Sequence, residues 1–190
     1  MGRQQEIEIK FRIQDIKVLQ RRLRGAGFRC VTPRTHESNT LFDLPGQVLR
    51  LRGEVLRLRK YGKNWILTHK GKGSAGRHKS RMETETGVAD GKRMGGILAA
   101  LGFQPTFVYE KFRAEWSDGK GQVVLDQTPL GDIAEIEGPA RWIDATAHAL
   151  GVEPSAYVTS SYTELFFDWK RKSKSAAQEM TFAAIGKVLQ

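Results

Sequence analysis

Acidic and basic side chains recur at every second position in several segments of the chain. Such pairs occur at Glu6 and Glu8, Glu83 and Glu85, Glu135 and Glu137, Arg57 and Arg59, and Lys111 and Arg113. In a β-strand, residues two apart share one face and lie about 6.5–7 Å from each other. Two carboxylates at that distance repel each other by about 2 kcal/mol at an effective dielectric constant of ~20. The pattern therefore indicates a cation bound between the acids and an anion bound among the bases.

Both kinds of charge could bind one ligand if the charged faces of the strands pointed into a closed barrel. Carboxylate oxygens are ligands that Mg²⁺ and Mn²⁺ prefer. Arginine and lysine bind phosphate oxygens, and arginine can do so through two parallel hydrogen bonds. The combination predicts a polyphosphate chelated to a divalent metal. A surface ladder of cross-strand ion pairs is the alternative interpretation.

Alternation of apolar and polar residues predicts the strands that carry these side chains. Eight segments show it, at 5–13, 35–42, 54–60, 64–70, 80–87, 107–116, 120–127 and 132–138. Three further stretches have apolar residues at helical spacing and end at Gly25, Gly102 and Gly151, and glycine is a common helix terminator. We expect an α+β fold that is mainly antiparallel β, in the form of a sheet or barrel with peripheral helices.

Composition narrows the class of protein further. The chain has 190 residues, of which 39% are hydrophobic, and a formal net charge of +10. These values favour a folded domain with a polyanionic partner. Since no apolar run approaches the ~20 residues that cross a bilayer, and charges interrupt the first ten positions, we expect no membrane span, no secretory signal and a cytoplasmic location. The single cysteine, Cys30, excludes an internal disulfide, and we expect it in the core.

The composition changes after Trp169, where a basic run from Lys170 to Ser175 begins. We predict a main domain over residues 1–169 and a basic tail over 170–190, in which a solvated link precedes a short helix or a frayed end.

Other binding and catalytic motifs lack support in the sequence. There is no P-loop motif, and the GxGxxG match at residues 71–76 leads into an alternating strand, whereas a dinucleotide-binding turn would open into a helix. The four histidines are scattered, so zinc is not expected.

A series of ordered motifs resembles that of the CYTH superfamily, also called triphosphate tunnel metalloenzymes. In chain order they are Glu6-Ile7-Glu8-Ile9-Lys10 (the ExExK pattern), Leu56-Arg57-Leu58-Arg59, Leu67-Thr68-His69-Lys70-Gly71, Arg81-Met82-Glu83-Thr84-Glu85, Glu110-Lys111-Phe112-Arg113, Leu125-Asp126, Leu130-Gly131 with Glu135-Ile136-Glu137, and Ser161-Tyr162-Thr163-Glu164-Leu165. The resemblance covers residues 5–168. It implies an eight-stranded antiparallel tunnel, a triphosphate substrate, and Mg²⁺ or Mn²⁺ as cofactor. After Gly71 many members have a proline where this chain has Lys72, which leaves the role of Lys72 open.

The resemblance also implies roles for the charged residues. The implied metal ligands are Glu6, Glu8, Glu83, Glu85, Asp126, Glu135 and Glu137, of which Glu6, Glu8 and Glu137 are the first choice. The implied phosphate-binding residues are Lys10, Arg57, Arg59, Lys70, Arg81, Lys111 and Arg113. Within that set, Lys10, Lys70 and Arg113 are expected to act in catalysis.

Three functions follow from these features. The first is a metal-dependent triphosphatase, in which water attacks a terminal phosphoryl group of tripolyphosphate, a nucleoside triphosphate or thiamine triphosphate. The second is a class IV adenylate cyclase, which converts ATP to cyclic AMP and pyrophosphate with the same metal and phosphate ligands. His36-Glu37, at the start of the second strand, is similar to those cyclases. The third is a non-catalytic binder of polyphosphate or RNA, which would not need the paired carboxylates. The expected partner is a small-molecule triphosphate and neither a membrane nor a nucleic acid, and a homodimer is left open.

Overall fold

Eight antiparallel strands close into a barrel in the computed structural model, which describes residues 4–74 and 76–186. The strands are β1 (Gln4–Arg12), β2 (Arg29–Asp43), β3 (Val55–Tyr61), β4 (Asn64–Lys70), β5 (Lys79–Val88), β6 (Gln104–Ser117), β7 (Gln122–Thr128) and β8 (Gly131–Glu137). Their order around the barrel is β1-β5-β4-β3-β2-β6-β7-β8, and β8 pairs with β1 to close it. The predicted fold class is confirmed.

The main departure from the predicted strands is the length of β2. It begins at Arg29, well before residue 35, because its first part pairs with the C-terminal part of β6 through two register shifts. Cys30 lies in this extension, where three consecutive residues are exposed. The expectation that Cys30 is a core residue is therefore wrong, since its side chain is exposed.

Helices surround the barrel. In chain order they are α1 (Ile16–Gly25), α2 (Val48–Leu51), α3 (Gly91–Ala100), α4 (Ala140–Ala149), a 3₁₀ turn at Pro154–Ala156, α5 (Tyr162–Ser173) and α6 (Phe182–Ile185). The periodic apolar residues predicted α1, α3 and α4. Asp15 and Asp90 begin α1 and α3 by accepting hydrogen bonds from backbone N–H groups of the first turn. No helix among the described residues has both the length and the apolarity to span a bilayer.

Much of the apolar core lies between the outer surface of the barrel and the helices. Ile9 of β1 is fully buried with Leu23 of α1 and Ile143 of α4. On the other side, Leu98 of α3 packs against Leu58 of β3. Because successive strand residues point to opposite faces, helices that cover the apolar face leave the charged face for the interior.

The helix α5 packs onto the interior-facing residues of β6. Its Tyr162 and Phe166 join a buried aromatic cluster with Phe107 and Tyr109. The helix begins with a capping box, in which Ser161 and its partner three residues later satisfy each other's backbone N–H groups. It continues to Ser173, so the predicted tail boundary at residue 170 falls inside it.

The segment after α5 returns to the barrel. The N–H of Met180 donates to the carbonyl of Val108 at 3.0 Å, and the N–H of Glu110 donates to the carbonyl of Met180 at 3.1 Å. The side chain of Met180 is fully buried. The Glu110 carboxylate also accepts a hydrogen bond from the N–H of Phe182, the first residue of α6, at 2.8 Å. Packing against β6 thus holds this part of the predicted tail.

Candidate active site

The charged interior encloses a cavity of about 2050 Å³. Every predicted site residue except Asp126 lines it, namely Glu6, Glu8, Lys10, Arg57, Arg59, Lys70, Arg81, Glu83, Glu85, Lys111, Arg113, Glu135 and Glu137. Lys72, whose role the sequence leaves open, lines it as well. Closure of the barrel therefore brings residues from six strands to one space.

Three carboxylates form a compact group, which we call the carboxylate cluster: Glu6 and Glu8 of β1 and Glu137 of β8. One oxygen of each lies within 4.8 Å of the others. The register of the closing strand pair sets this geometry, because it places Glu8 opposite Glu137. Burial raises the pKa of Glu137 to about 8, and repulsion from Glu135, Glu6 and Glu8 adds to the effect. Crowded carboxylate oxygens with this mutual repulsion fit a divalent cation such as Mg²⁺ or Mn²⁺.

The other predicted metal ligands pair with cations. Glu83 lies 2.9 Å from the Lys70 ammonium, and Glu135 lies 2.7 Å from the Arg113 guanidinium. Burial raises the pKa of Glu135, but attraction to Lys10 and Arg113 outweighs it and leaves that pKa well below the usual range. Glu85 contacts a guanidinium at 3.2 Å and keeps a side chain that is 43% exposed. These acids balance the charge of the basic residues and lie outside the carboxylate cluster.

Asp126 sits behind the cavity wall in a saturated network. It is fully buried and accepts hydrogen bonds from Lys111 at 2.8 Å and from two nitrogens of Arg113 at 2.8 and 2.7 Å. The Tyr162 hydroxyl of α5 donates a fourth bond at 2.6 Å. The three charge-assisted bonds from Lys111 and Arg113 hold both cations at the cavity that they line. This arrangement makes Asp126 a counter-charge of Lys111 and Arg113 that lies outside the carboxylate cluster, and its role as a metal ligand stays a prediction.

The cations are held beside the carboxylate cluster. The Lys70 ammonium contacts both oxygens of Glu6, at 2.9 and 2.8 Å. The Lys10 ammonium lies 2.6 Å from Glu8 and 3.5 Å from Glu135. Burial lowers the pKa of Lys10, but attraction to Glu135 and Glu8 outweighs it, so its pKa lies above the usual value. Burial and repulsion from Arg57 lower the pKa of Lys70, but attraction to Glu6 and Glu83 outweighs them and raises it. Both lysines are therefore positively charged at neutral pH and adjacent to the proposed metal ligands.

Glu37 of β2 is a charged residue of this network that the sequence did not single out as part of the site. It is fully buried, and three cations surround it: Lys111 at 3.6 Å, Arg59 at 3.7 Å and Arg113 at 3.8 Å. One carboxylate oxygen accepts a hydrogen bond from Asn39 at 2.9 Å, and the other has no hydrogen-bond partner. Burial raises the pKa of Glu37, but attraction to Lys111, Arg113 and Arg59 outweighs it and holds that pKa far below its usual range. In the sequence, Glu37 and Asn39 stand two residues apart and so share one face of β2, and this pattern could have identified Glu37 as part of the site.

Lys79 of β5 is a second residue that the sequence analysis did not assign. It lines the cavity and faces Glu8 across the β1–β5 pair. Burial lowers its pKa to about 8, and repulsion from Arg81 and Lys10 adds to the effect. Its position two residues before Arg81 on the same face of β5 is the sequence pattern that could have identified it.

The structure thus combines a closed antiparallel barrel with a carboxylate cluster and a set of cations that line one cavity. The chain belongs to the CYTH domain family, whose model matches residues 4–141. The resemblance inferred from the ordered motifs is thereby confirmed.

Similar proteins extend this finding. A Methanocaldococcus jannaschii protein named "putative adenylate cyclase" is 26% identical over 171 residues, which are 84% of this chain and 97% of that protein. A Vibrio parahaemolyticus structure described as a "putative adenylate cyclase" aligns with a TM-score of 0.77 at 20% identity, over 87% of this chain and 99% of its own. A Hippeastrum protein, described as a "putative adenylyl cyclase" with a dominant triphosphatase activity, aligns with a TM-score of 0.62 at 19% identity, over 86% and 96% of the two chains. Both structures share the fold, and the family match together with these relatives supports an enzymatic role.

Proposed function

We propose that this protein is a divalent-metal-dependent enzyme that hydrolyses a phosphoanhydride bond of a triphosphate. One observation carries the proposal: the carboxylate cluster and the phosphate-binding cations line the same cavity. Phosphoryl transfer depends mainly on positioning and on neutralisation of charge. A cavity with both kinds of group supplies these two requirements at one place.

The basic residues would bind the phosphate chain from several sides. Arg57 and Arg59 come from β3, whereas Lys111 and Arg113 come from β6, and all four line the cavity. Asp126 and Glu37 hold the β6 pair in place from behind. Because these supports fix the cations before substrate arrives, little side-chain ordering is needed on binding.

Metal binding and triphosphate binding are expected to reinforce each other. A divalent ion on the carboxylate cluster would supply Lewis-acid polarisation of phosphate oxygens. Lys70 and Lys10 now contact Glu6 and Glu8, at 2.8 and 2.6 Å. Once those carboxylates serve as metal ligands, both ammonium groups become available to phosphate oxygens. Together with Arg113, they are the residues that we propose to stabilise the charge of the leaving phosphate.

Adenylate cyclase activity is the second candidate, and the names of the relatives favour it. In that reaction the ribose 3′-hydroxyl attacks the α-phosphorus, whereas hydrolysis places water against a terminal phosphorus. Both reactions use the same metal and phosphate contacts. They differ in which phosphorus faces the nucleophile, so the products distinguish them.

Phosphorus NMR of the purified protein tests the proposal. The protein is incubated with Mg²⁺ or Mn²⁺ and, separately, with ATP and with tripolyphosphate. Glu8→Gln removes a member of the carboxylate cluster with little change in shape, and Glu153→Gln, an exposed position on the 140–156 segment, is the matched control. We expect metal-dependent release of orthophosphate that Glu8→Gln abolishes and Glu153→Gln leaves unchanged.

Each other result has a defined meaning. Cyclic AMP with pyrophosphate from ATP would assign the cyclase. No turnover of either substrate with either metal, in a protein whose Tm still rises with tripolyphosphate, would assign a non-catalytic binder. Full activity of Glu8→Gln would overturn the role of the carboxylate cluster.

A further inference from the structure

Asp144, the only acidic residue of α4, contacts two segments that are far apart in the sequence. One oxygen of its carboxylate accepts a hydrogen bond from the Nε of Arg77 at 3.1 Å and lies 2.9 Å from the Nε2 of His78. The hydroxyl of Tyr157 donates to the same oxygen at 3.4 Å. We call these four residues the Asp144 clasp. None of them lines the cavity, so their contacts are separate from the site described above.

The Asp144 clasp is packed more closely than an ordinary surface ion pair. The side chain of His78 is 15% exposed and that of Asp144 is 33% exposed. The ring of Tyr157 lies 6.5 Å from the imidazole of His78 and 6.0 Å from the guanidinium of Arg77. Exposed ion pairs contribute little because water screens them. A carboxylate with three partners and an aromatic neighbour is shielded in part from that screening.

Both segments that Asp144 contacts lead directly into the cavity wall. His78 immediately precedes Lys79, which lines the cavity at the start of β5. Tyr157 stands two residues before the segment 159–161, which lines the cavity as well. A movement of either contact would therefore displace groups at the cavity surface.

These two segments meet where β1 changes its pairing partner. β5 pairs with β1 as far as Glu8. Two residues later, the N–H of Lys10 donates to the carbonyl of Val158 at 3.0 Å, and the N–H of Val158 donates to the carbonyl of Lys10 at 2.7 Å. Among the residues that the structure describes, no backbone hydrogen bond joins β5 to Val158. The side chains of the Asp144 clasp bridge this break in the sheet.

We propose that Asp144 is a positioning residue, which holds the cavity-lining groups of β5 and of residues 159–161 at the separation that a bound triphosphate requires. Cationic groups of β5 and hydroxyl groups of 159–161 can contact one phosphate chain only while that separation is kept. The carboxylate cluster lies on β1 and β8, which pair with each other without the clasp, so the proposed metal site stays in place. The inference rests on the proposed function and adds to it a residue outside the cavity.

Steady-state kinetics tests this role, with whichever of ATP and tripolyphosphate the wild type hydrolyses. Asp144→Ala should raise KM roughly tenfold and leave kcat within about twofold, because it displaces binding groups and not the reacting atoms. Asp144→Glu keeps the carboxylate and should restore most of the affinity. His78→Gln should add little to the effect of Asp144→Ala, since both changes remove one interaction. Glu153→Ala is the matched control, because it removes the same charge from an exposed position after α4.

Hydrogen–deuterium exchange on the same variants shows whether the two segments depend on each other. In Asp144→Ala, the amides of residues 76–80 and of 157–161 should exchange faster together, and Glu153→Ala should change neither segment. Faster exchange in one segment alone, or in neither, would overturn the inference. So would an unchanged KM, a KM raised equally by Glu153→Ala, or a loss of kcat without a rise in KM.

The failure of the proposed function gives a different result. If the wild type hydrolyses no triphosphate, that function is wrong, and calorimetric titration with tripolyphosphate decides the role of Asp144. Binding that is roughly tenfold weaker in Asp144→Ala and unchanged in Glu153→Ala would still support a positioning role. Equal binding by all three proteins, or no binding by the wild type, would refute it.

Discussion

The substitution Glu37→Gln removes one negative charge from the interior of the barrel with little change in shape. The carboxylate is fully buried, and Lys111, Arg59 and Arg113 surround it at 3.6–3.8 Å. An amide in its place can still accept the hydrogen bond from Asn39. The change therefore isolates the electrostatic contribution of the carboxylate.

The expected loss of stability is large. At a separation of about 3.7 Å and an effective dielectric constant of ~20, each pair contributes an attraction of about 4–5 kcal/mol. The desolvation of the buried charges offsets much of this, and removal of one partner from a buried ion pair costs about 3–5 kcal/mol. For a chain of this size, each 1 kcal/mol lowers Tm by about 2–4 °C. We expect Glu37→Gln to melt roughly 6–20 °C below the wild type.

Differential scanning calorimetry of the metal-free protein measures this difference. Glu85→Gln is the matched control, because it makes the same change against Arg59 at 3.2 Å with a side chain that is 43% exposed. Solvent screening should limit its effect to about 1 kcal/mol or less. A Glu37→Gln protein that melts no lower than Glu85→Gln would refute the assignment of Glu37 as the counter-charge of the interior cations.

The difference also has a predicted pH dependence. The pKa of Glu37 is lowered in the folded state from an ordinary value of 4.5. Its contribution to stability is then complete above that value and declines as the pH falls below it, because the unfolded chain takes up the proton first. The gap in Tm between the wild type and Glu37→Gln should be constant near neutral pH and narrow below pH 4.5. A gap that widens on acidification would contradict the sign of this linkage.

Three further expectations concern stability. Tyr162→Phe removes the 2.6 Å hydrogen bond to buried Asp126 and should lower the free energy of unfolding in urea by about 1.5–3 kcal/mol; a variant as stable as the wild type would show that the bond contributes nothing. Gly91→Ala would place a Cβ within 2.0 Å of the Trp65 ring and should destabilise the protein by about 1–3 kcal/mol. Gly96→Ala on the same helix meets no atom within 4 Å and should stabilise it by about 0.5–1 kcal/mol, so equal signs for the two changes would be inconsistent with the packing of α3. Mg²⁺ at a hundredfold excess over its Kd should stabilise the fold by about 2.7 kcal/mol, and an unchanged Tm would argue against the carboxylate cluster as a metal site.

The sequence by itself determined the eight strands apart from the start of β2, three of the helices and the family. Alternation of charged and apolar residues predicted eight strands because a strand with two different environments requires a period of two. Gly102 and Gly151 follow α3 and α4 in the left-handed conformation that glycine readily adopts, as predicted. Gly25 is instead the last residue of α1, and Gly27 adopts that conformation. The ordered motifs were sufficient to identify the CYTH domain, and they named most of the charged residues that line the cavity.

Only the tertiary structure decided which charges meet. Glu137 and Asp126 look alike in sequence, as acids near the end of apolar strands. The closing register places Glu137 opposite Glu8, whereas Asp126 faces Arg113 across the β6–β7 pair. One acid therefore joins the carboxylate cluster and the other binds cations, because long-range strand pairing sets the neighbours of each side chain.

Dependence on contacts between distant parts of the chain also explains the other features that the sequence left open. Glu37 lies in a polar segment typical of an exposed strand, and it is buried only because the barrel closes around it. Residues after α5 are mostly polar or small, yet Met180 docks on β6 through backbone hydrogen bonds that no side-chain pattern records. Local periodicity determines which face of an element is apolar, but contacts between distant elements depend on the free energy of packing the whole chain.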